Sequence, residues 1–283
     1  MNIVTNPAAS KFTAEDIEYH KVGGEALLAR LYRPQGAGPF PAVVGVHGGA
    51  WTSGDRNNNQ VIDSAVAAAG VVVLALDFRL APKAPYPASV ADVNYGTRWM
   101  KAHAEKLGSR PDWVGTLASS SGGHQALLSA LRPNDPRYAA ATAPELSNVD
   151  ASVAYVVACW PISDPLARYR MAVEKKNERL IQAHKDYFGD EAAMAEGNPQ
   201  LVLDRGENGK LPPLMILQGT KDSNVTPDMA EKFSAAWRRR GGSATLETFP
   251  DQPHAFATQD PTSAESLRAI ELMKAFVLKR GAA

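Results

Sequence analysis

Trp113-Val114-Gly115-Thr116-Leu117-Ala118-Ser119-Ser120-Ser121-Gly122-Gly123-His124 is the stretch on which the reading of this chain turns. Residues Trp113–Leu117 form a short, mostly apolar run of the length expected for a buried strand, and His124–Leu131 carries apolar side chains at helical spacing. The turn between them consists only of small residues. A nucleophile held at the top of a sharp strand-to-helix turn sits in strained backbone, and the residues two before and two after it must be small for the turn to close. Ala118 and Gly122 meet that requirement around Ser120. The usual pattern has glycine at the first of these positions, so Ala118 is a departure, conservative in volume. A serine-rich turn that caps the helix is the competing reading of this segment taken alone.

Similar apolar runs recur on both sides: Ala42–Val46, Val71–Leu76, Val153–Ala158, Leu214–Leu217 and Ala244–Thr248. They are continuous rather than alternating, which suits parallel strands covered on both faces. Segments of helical period such as Val90–Leu107 lie between them. Ile17–His20 and Ala26–Tyr32 alternate around Gly23-Gly24 and read as an antiparallel hairpin at the sheet edge. The expected fold class is therefore α/β, with a mainly parallel central sheet and helices on both faces, in one domain over residues 1–283. Ser163–Gly209 breaks the rhythm with charges including Lys175, Lys176, Glu178 and Arg179, and is read as a small helical cap.

Bulk properties narrow the functional classes. Of 283 residues, 45% are apolar and 21% charged, with 30 basic residues against 30 acidic ones, the profile of a soluble globular protein. A neutral balance without a basic block lacks the footprint of phosphate-backbone binding, so no nucleic-acid partner is expected. The most apolar segment, Ala65–Leu76, is too short to span a bilayer and is flanked by Asp63 and Asp77; it reads as a core element. Met1–Phe12 lacks the basic and apolar regions of a secretory signal. Cys159, the single cysteine, cannot form an internal disulfide, and a cytoplasmic location with the thiol buried is expected.

Three further segments carry chemistry. His47-Gly48-Gly49-Ala50-Trp51 follows a buried strand, where glycines let backbone N–H groups approach a developing oxyanion. Gly49, Ala50 and Ser121 are the expected donors, Gly48 shapes the loop, and His47 organises it. Gln218-Gly219-Thr220-Lys221-Asp222 follows the strand Leu214–Leu217 and puts Asp222 at its carboxyl end, the place for an acid that orients a histidine. Phe249-Pro250-Asp251-Gln252-Pro253-His254 puts His254 in a loop before the last helix, Ser263–Lys279. Ser120, Asp222, His254 is then the order of nucleophile, acid and base. Asp164 and Asp251 are the alternative acids.

With these motifs the chain resembles the α/β-hydrolase superfamily and, within it, the bacterial branch of the hormone-sensitive lipase family of carboxylesterases. Asp77-Phe78-Arg79-Leu80-Ala81-Pro82, then Tyr86-Pro87-Ala88 and Asp92, is similar to a stretch typical of that family. Arg79 and Asp92 are expected to pair beneath the site. The short lead before His47, Trp51 after the glycines and His124 after Gly122-Gly123 are closer to kynurenine formamidase-like relatives. The resemblance implies an acyl-enzyme at Ser120, no metal or cofactor, and a small-molecule ester as substrate. Trp51, Trp160 and Tyr169 are expected to line an apolar pocket for short to medium acyl or small aryl groups. A formamidase or other amidase, a thioesterase and a lactonase would use the same parts, and a ligand-binding receptor on this fold is the non-enzymatic alternative. An edge strand or the last helix could support a homodimer.

Overall fold

The computed structural model describes residues 11–207 and 209–280, so most of Met1–Phe12, read above for a signal, lies outside the described residues. Eight strands form one sheet: β1 Phe12–Val22, β2 Glu25–Pro34, β3 Ala42–Val46, β4 Val72–Leu76, β5 Val114–Ser119, β6 Val156–Cys159, β7 Leu214–Gly219 and β8 Ala244–Phe249. Their spatial order is β1-β2-β4-β3-β5-β6-β7-β8. β1 and β2 form the antiparallel hairpin, β2 meets β4 antiparallel, and all later pairings are parallel.

Residue alternation along the central strands explains the two layers. Val43, Val73, Ala75, Leu117, Val157 and Leu217 pack on one face with Ile62, Val66, Ile270 and Met273, which belong to α1 Gln60–Ala68 and to the terminal helix Ala264–Arg280. Their neighbours Val44, Leu74, Ala118, Ala158 and Ile216 pack on the other face. That face is covered by α2 Ala88–His103, α3 Ser121–Leu131 and the helix Pro227–Arg239. Strands buried on both faces have no polar side to show, which is why they read as continuous apolar runs.

The apolar stretch Ala65–Leu76 is two elements. Its first residues end α1, Gly70 turns the chain with φ 91°, and β4 begins at Val72. Val90–Leu107 likewise ends as a helix at His103, with a separate tight turn at Glu105–Leu107.

Between β6 and β7 the charged segment forms four helices. After α4 Pro136–Ala139 come α5 Pro165–Glu174, α6 Glu178–Phe188, α7 Glu191–Glu196 and α8 Pro199–Arg205. Each starts on an Asp or Asn whose side chain accepts from a backbone N–H of the first turn: Asp164 from Ala167, Asn177 from Leu180, Asp190 from Ala193 and Asn198 from Leu201. Such caps satisfy donors that a helix leaves open, at about 1 kcal/mol each. The chain continues with α9 Pro227–Arg239, α10 Phe256–Gln259 and α11 Ala264–Arg280. Among the described residues no helix is long and apolar enough to cross a membrane.

Candidate active site

Ser120 joins β5 to α3 with φ 52° and ψ −119°, a left-handed backbone that a side chain adopts only when its surroundings impose it. The surroundings do so. Ser120 N–H donates to Cys159 O at 2.9 Å, and its carbonyl accepts from Ile162 N–H at 3.1 Å. A Cβ on Gly122 would overlap the carbonyl oxygens of Val46 and His47, so the turn closes against the end of β3 only with glycine there. Ala118 is buried in the core and its methyl group is accommodated.

Asp222 follows β7 and is 3% exposed. Its Oδ1 accepts from the N–H groups of Asn224 (2.9 Å) and Val225 (2.8 Å), and its Oδ2 from Gln218 Nε2 at 3.1 Å. Oδ2 also lies 2.7 Å from His254 Nδ1, while His254 Nε2 lies 3.0 Å from Ser120 Oγ. In the tautomer these distances favour, Nδ1–H donates to the carboxylate and Nε2 accepts from the hydroxyl. The His254 loop is tied to the Asp222 loop by Lys221 N–H to Gln252 O at 3.0 Å and Asp251 N–H to Thr220 Oγ1 at 2.8 Å. Gly219 permits that contact, because a Cβ there would overlap Gln252 O. The two alternative acids have other tasks: Asp164 caps α5 and accepts from Asn198 Nδ2, and Asp251 is exposed and paired with Lys221.

The loop after β3 has three successive positive φ values, 117° at Gly49, 51° at Ala50 and 64° at Trp51. A Cβ on Gly48 would come within 3.1 Å of Ser120 Cβ, so this loop runs alongside the serine. Gly48, Gly49 and Ala50 border the same cavity as Ser120 and His254. Ser121 is buried beneath it, its hydroxyl accepting from Trp51 N–H at 3.2 Å. His47 organises the loop, stacking on Phe78 at 4.2 Å and donating from Nδ1 to Gly48 O at 2.6 Å. Burial holds its pKa below the ordinary histidine range.

Two pocket residues expected from sequence are elsewhere. Trp51 is 1% exposed and stacks flat on Tyr187 at 5.0 Å, in a cluster with Ile162, Phe188 and Met229. A positive φ turns its side chain away from the cavity and into the packing beneath α6. Tyr169 leans on the same cluster, 5.7 Å from His184. Neither borders the cavity, whereas Trp160 does, 6.3 Å from His254. The cavity, about 630 Å³, is also more polar than expected. Thr52, Ser53, Asn58 and Asn59 form one wall, and Arg168, Arg179, Gln182, Asp186 and Asn224 another.

Two roles were not read from the sequence. Arg168 donates from Nε to Asn224 O at 3.0 Å and from Nη2 to Asn224 Oδ1, fastening the Asp222 loop to α5. His124 is fully buried and accepts from Trp51 Nε1–H at 3.2 Å, while its Nε2–H donates to Gly197 O at 2.7 Å. Burial lowers its pKa to about 4, so it is a neutral strut between the turn at Ser120 and the end of α7.

A mainly parallel eight-stranded sheet, with Ser120 at the turn after β5, Asp222 after β7 and His254 after β8, is an α/β-hydrolase fold. The BD-FAE family model matches residues 30–237, and the chain belongs to that family. It is 30% identical over 219 residues to the Mycobacterium tuberculosis protein named "Probable carboxylic ester hydrolase LipM", covering 73% of this chain and 50% of LipM. The chain thus spans about half the length of that curated relative. Among solved structures it is similar to an esterase of Thermogutta terrifontis (25% identity, TM-score 0.76, 97% of this chain and 95% of that one). The fold is also that of an esterase of Pyrobaculum calidifontis (23% identity, TM-score 0.78, 96% and 87%).

Proposed function

We propose that the chain is a serine ester hydrolase that works through an acyl-enzyme at Ser120. The observation that carries this reading is the contact chain itself: a hydroxyl 3.0 Å from one imidazole nitrogen and a buried carboxylate 2.7 Å from the other. Ser120 Oγ attacks the ester carbonyl as His254 Nε2 takes its proton, forming a tetrahedral oxyanion. The N–H groups of Gly49, Ala50 and Ser121 receive that charge, with Gly48 leaving the loop room beside the serine. Among the described residues none of these three amides donates to another protein atom, which leaves them free for a ligand oxygen. His254 then returns the proton to the leaving alcohol as the C–O bond breaks, and water releases the acid by the same steps. Asp222 holds the imidazole in the tautomer both steps need.

The helices between β6 and β7 act as a cap, supplying one wall of the cavity. A cavity of about 630 Å³ suits a small ester with a short or medium acyl group or a small aryl group. The Thermogutta relative is described with propionate bound, which agrees with a short acyl group. The single thiol, Cys159, is buried, in keeping with a reducing cytoplasm, and the free edge of β8 or the face of α11 offers a surface for a homodimer. Labelling with a fluorophosphonate probe and mapping of the modified peptide tests the reading. The label is expected on Ser120 and absent in Ser120→Ala, together with hydrolysis of 4-nitrophenyl acetate. A labelled serine elsewhere, or no labelling, would overturn it.

A further inference from the structure

The cavity beside Ser120 is bordered by two arginines that no carboxylate of the described residues pairs with. Arg168, on α5, is 1% exposed, and its Nη1 is buried without a hydrogen-bond partner among the described residues. Arg179, at the start of α6, is exposed. Among the described residues neither forms an ion pair, although Arg170 on the same segment pairs with Glu191 at 2.8 Å. Asp186, the one carboxylate bordering this cavity, instead accepts from Gln182 Nε2 at 2.7 Å. Burial and repulsion from Arg179 together press the Arg168 pKa down to about 9, and the charge of Asp222 opposes them. Asp222 already accepts from four donors.

A cation withdrawn from water is costly unless an anion faces it. We propose that the ester bound here carries a carboxylate, which seats between Arg168 and Arg179 and supplies the missing negative charge. A planar guanidinium with an unused amino group suits a carboxylate, which accepts two parallel hydrogen bonds. The inference rests on the ester-hydrolase reading and narrows its substrate to esters with an acidic group on one side of the scissile bond.

Two matched pairs test it: mono-4-nitrophenyl adipate against its methyl ester, with the charge on the acyl side, and 4-acetoxybenzoate against its methyl ester, with the charge on the alcohol side. The protein is expected to prefer the acid in kcat/KM by about tenfold or more in one pair, the scale of a charge-assisted hydrogen bond. Arg179→Gln should shrink that ratio and Arg179→Glu should shrink it further. Arg168→Gln should shrink it too, with circular dichroism reporting whether that variant folds. Each ratio is taken within one variant, so a general loss of activity does not imitate a loss of preference. Turnover of the esters with no preference for the acid, or a preference unchanged in Arg179→Gln, overturns the carboxylate site and leaves the hydrolase reading standing. No turnover of any ester, with no fluorophosphonate label on Ser120, overturns that reading and this inference with it.

Discussion

At the scale of single residues, Asp222 and Gly219 are the most exacting positions. Asp222→Asn keeps the volume but sets an amide NH₂ against the Asn224 and Val225 N–H groups or against His254 Nδ1–H, so the imidazole loses its tautomer. A fall in kcat of about 10³- to 10⁴-fold is expected, measured by steady-state hydrolysis of 4-nitrophenyl acetate. Gly219→Ala acts at a distance, because its new methyl group displaces Gln252 O and with it the loop that carries His254. We expect at least a tenfold loss of kcat/KM with an unchanged far-ultraviolet circular dichroism spectrum. Ser120, Asp222 and His254 were legible because strand-end positions and chain order restrict which residue types can serve there. Arg168 was not, since an arginine in a charged helix has the pattern of a solvated face. Its burial depends on how α5 meets Trp51, 5.8 Å from the guanidinium carbon.

At the scale of elements, the loop leaving β4 is tied to α2 by the half-buried Arg79 and the buried Asp92. Arg79 makes hydrogen bonds of 2.7 to 3.1 Å to both oxygens of Asp92, whose side chain is 1% exposed, and its backbone N–H adds another at 2.9 Å. Removing the guanidinium leaves a buried carboxylate without its cation, so Arg79→Ala should lose roughly 3 kcal/mol of stability, seen as a lower midpoint in urea. Equal midpoints would show that the loop is held by other contacts. This pairing was expected from the family-like stretch Asp77–Asp92, and β3 to β8 were legible because apolar runs bounded by breakers leave few alternatives, whereas only Ile17–His20 of the longer β1 was read. The split of Ala65–Leu76 at Gly70 was half legible: Val71–Leu76 stood out as a strand, but the end of the buried helix before it is apolar as well. Tyr169, on α5, packs by the face its helix turns to the cluster around Trp51, and the position of Trp51 itself was illegible for a different reason. A run of positive φ reverses which way a loop side chain points, and no pattern of residue types records it.

At the scale of the whole molecule, buried groups that titrate set the dependence of stability on pH. Asp63 on α1 is fully buried, neither oxygen has a hydrogen-bond partner among the described residues, and burial raises its pKa to about 8. An unfolded chain ionises this group above about pH 4, so between pH 4 and 8 the unfolded state binds fewer protons and stability falls as pH rises. His124 and His184 act in the opposite sense. Burial lowers their pKa values to about 4 and about 3, with Arg168 adding to the shift at His184. An unfolded chain takes up these protons below about 6.5, so their contribution is lost as pH falls from there toward 4. Above pH 6.5 only Asp63 of the three still acts. The melting temperature should therefore drop by a few degrees between pH 6.5 and 8, for a loss of about 2 kcal/mol, and Asp63→Asn should flatten that slope in a calorimetric series.

The four helices between β6 and β7 enter and leave the sheet through two adjacent strands. They bring Arg168, Arg179 and Gln182 to the cavity, while the hydroxyl, imidazole, carboxylate and amide donors all hang from other connections. The same helices also reach beneath the site, through Arg168 to Asn224, through Gly197 to His124 and through Tyr187 to Trp51. A foreign sequence grafted between Ile162 and Pro212 would therefore have to supply new partners for Asn224, His124 and Trp51 before Ser120, Asp222 and His254 could stay in register.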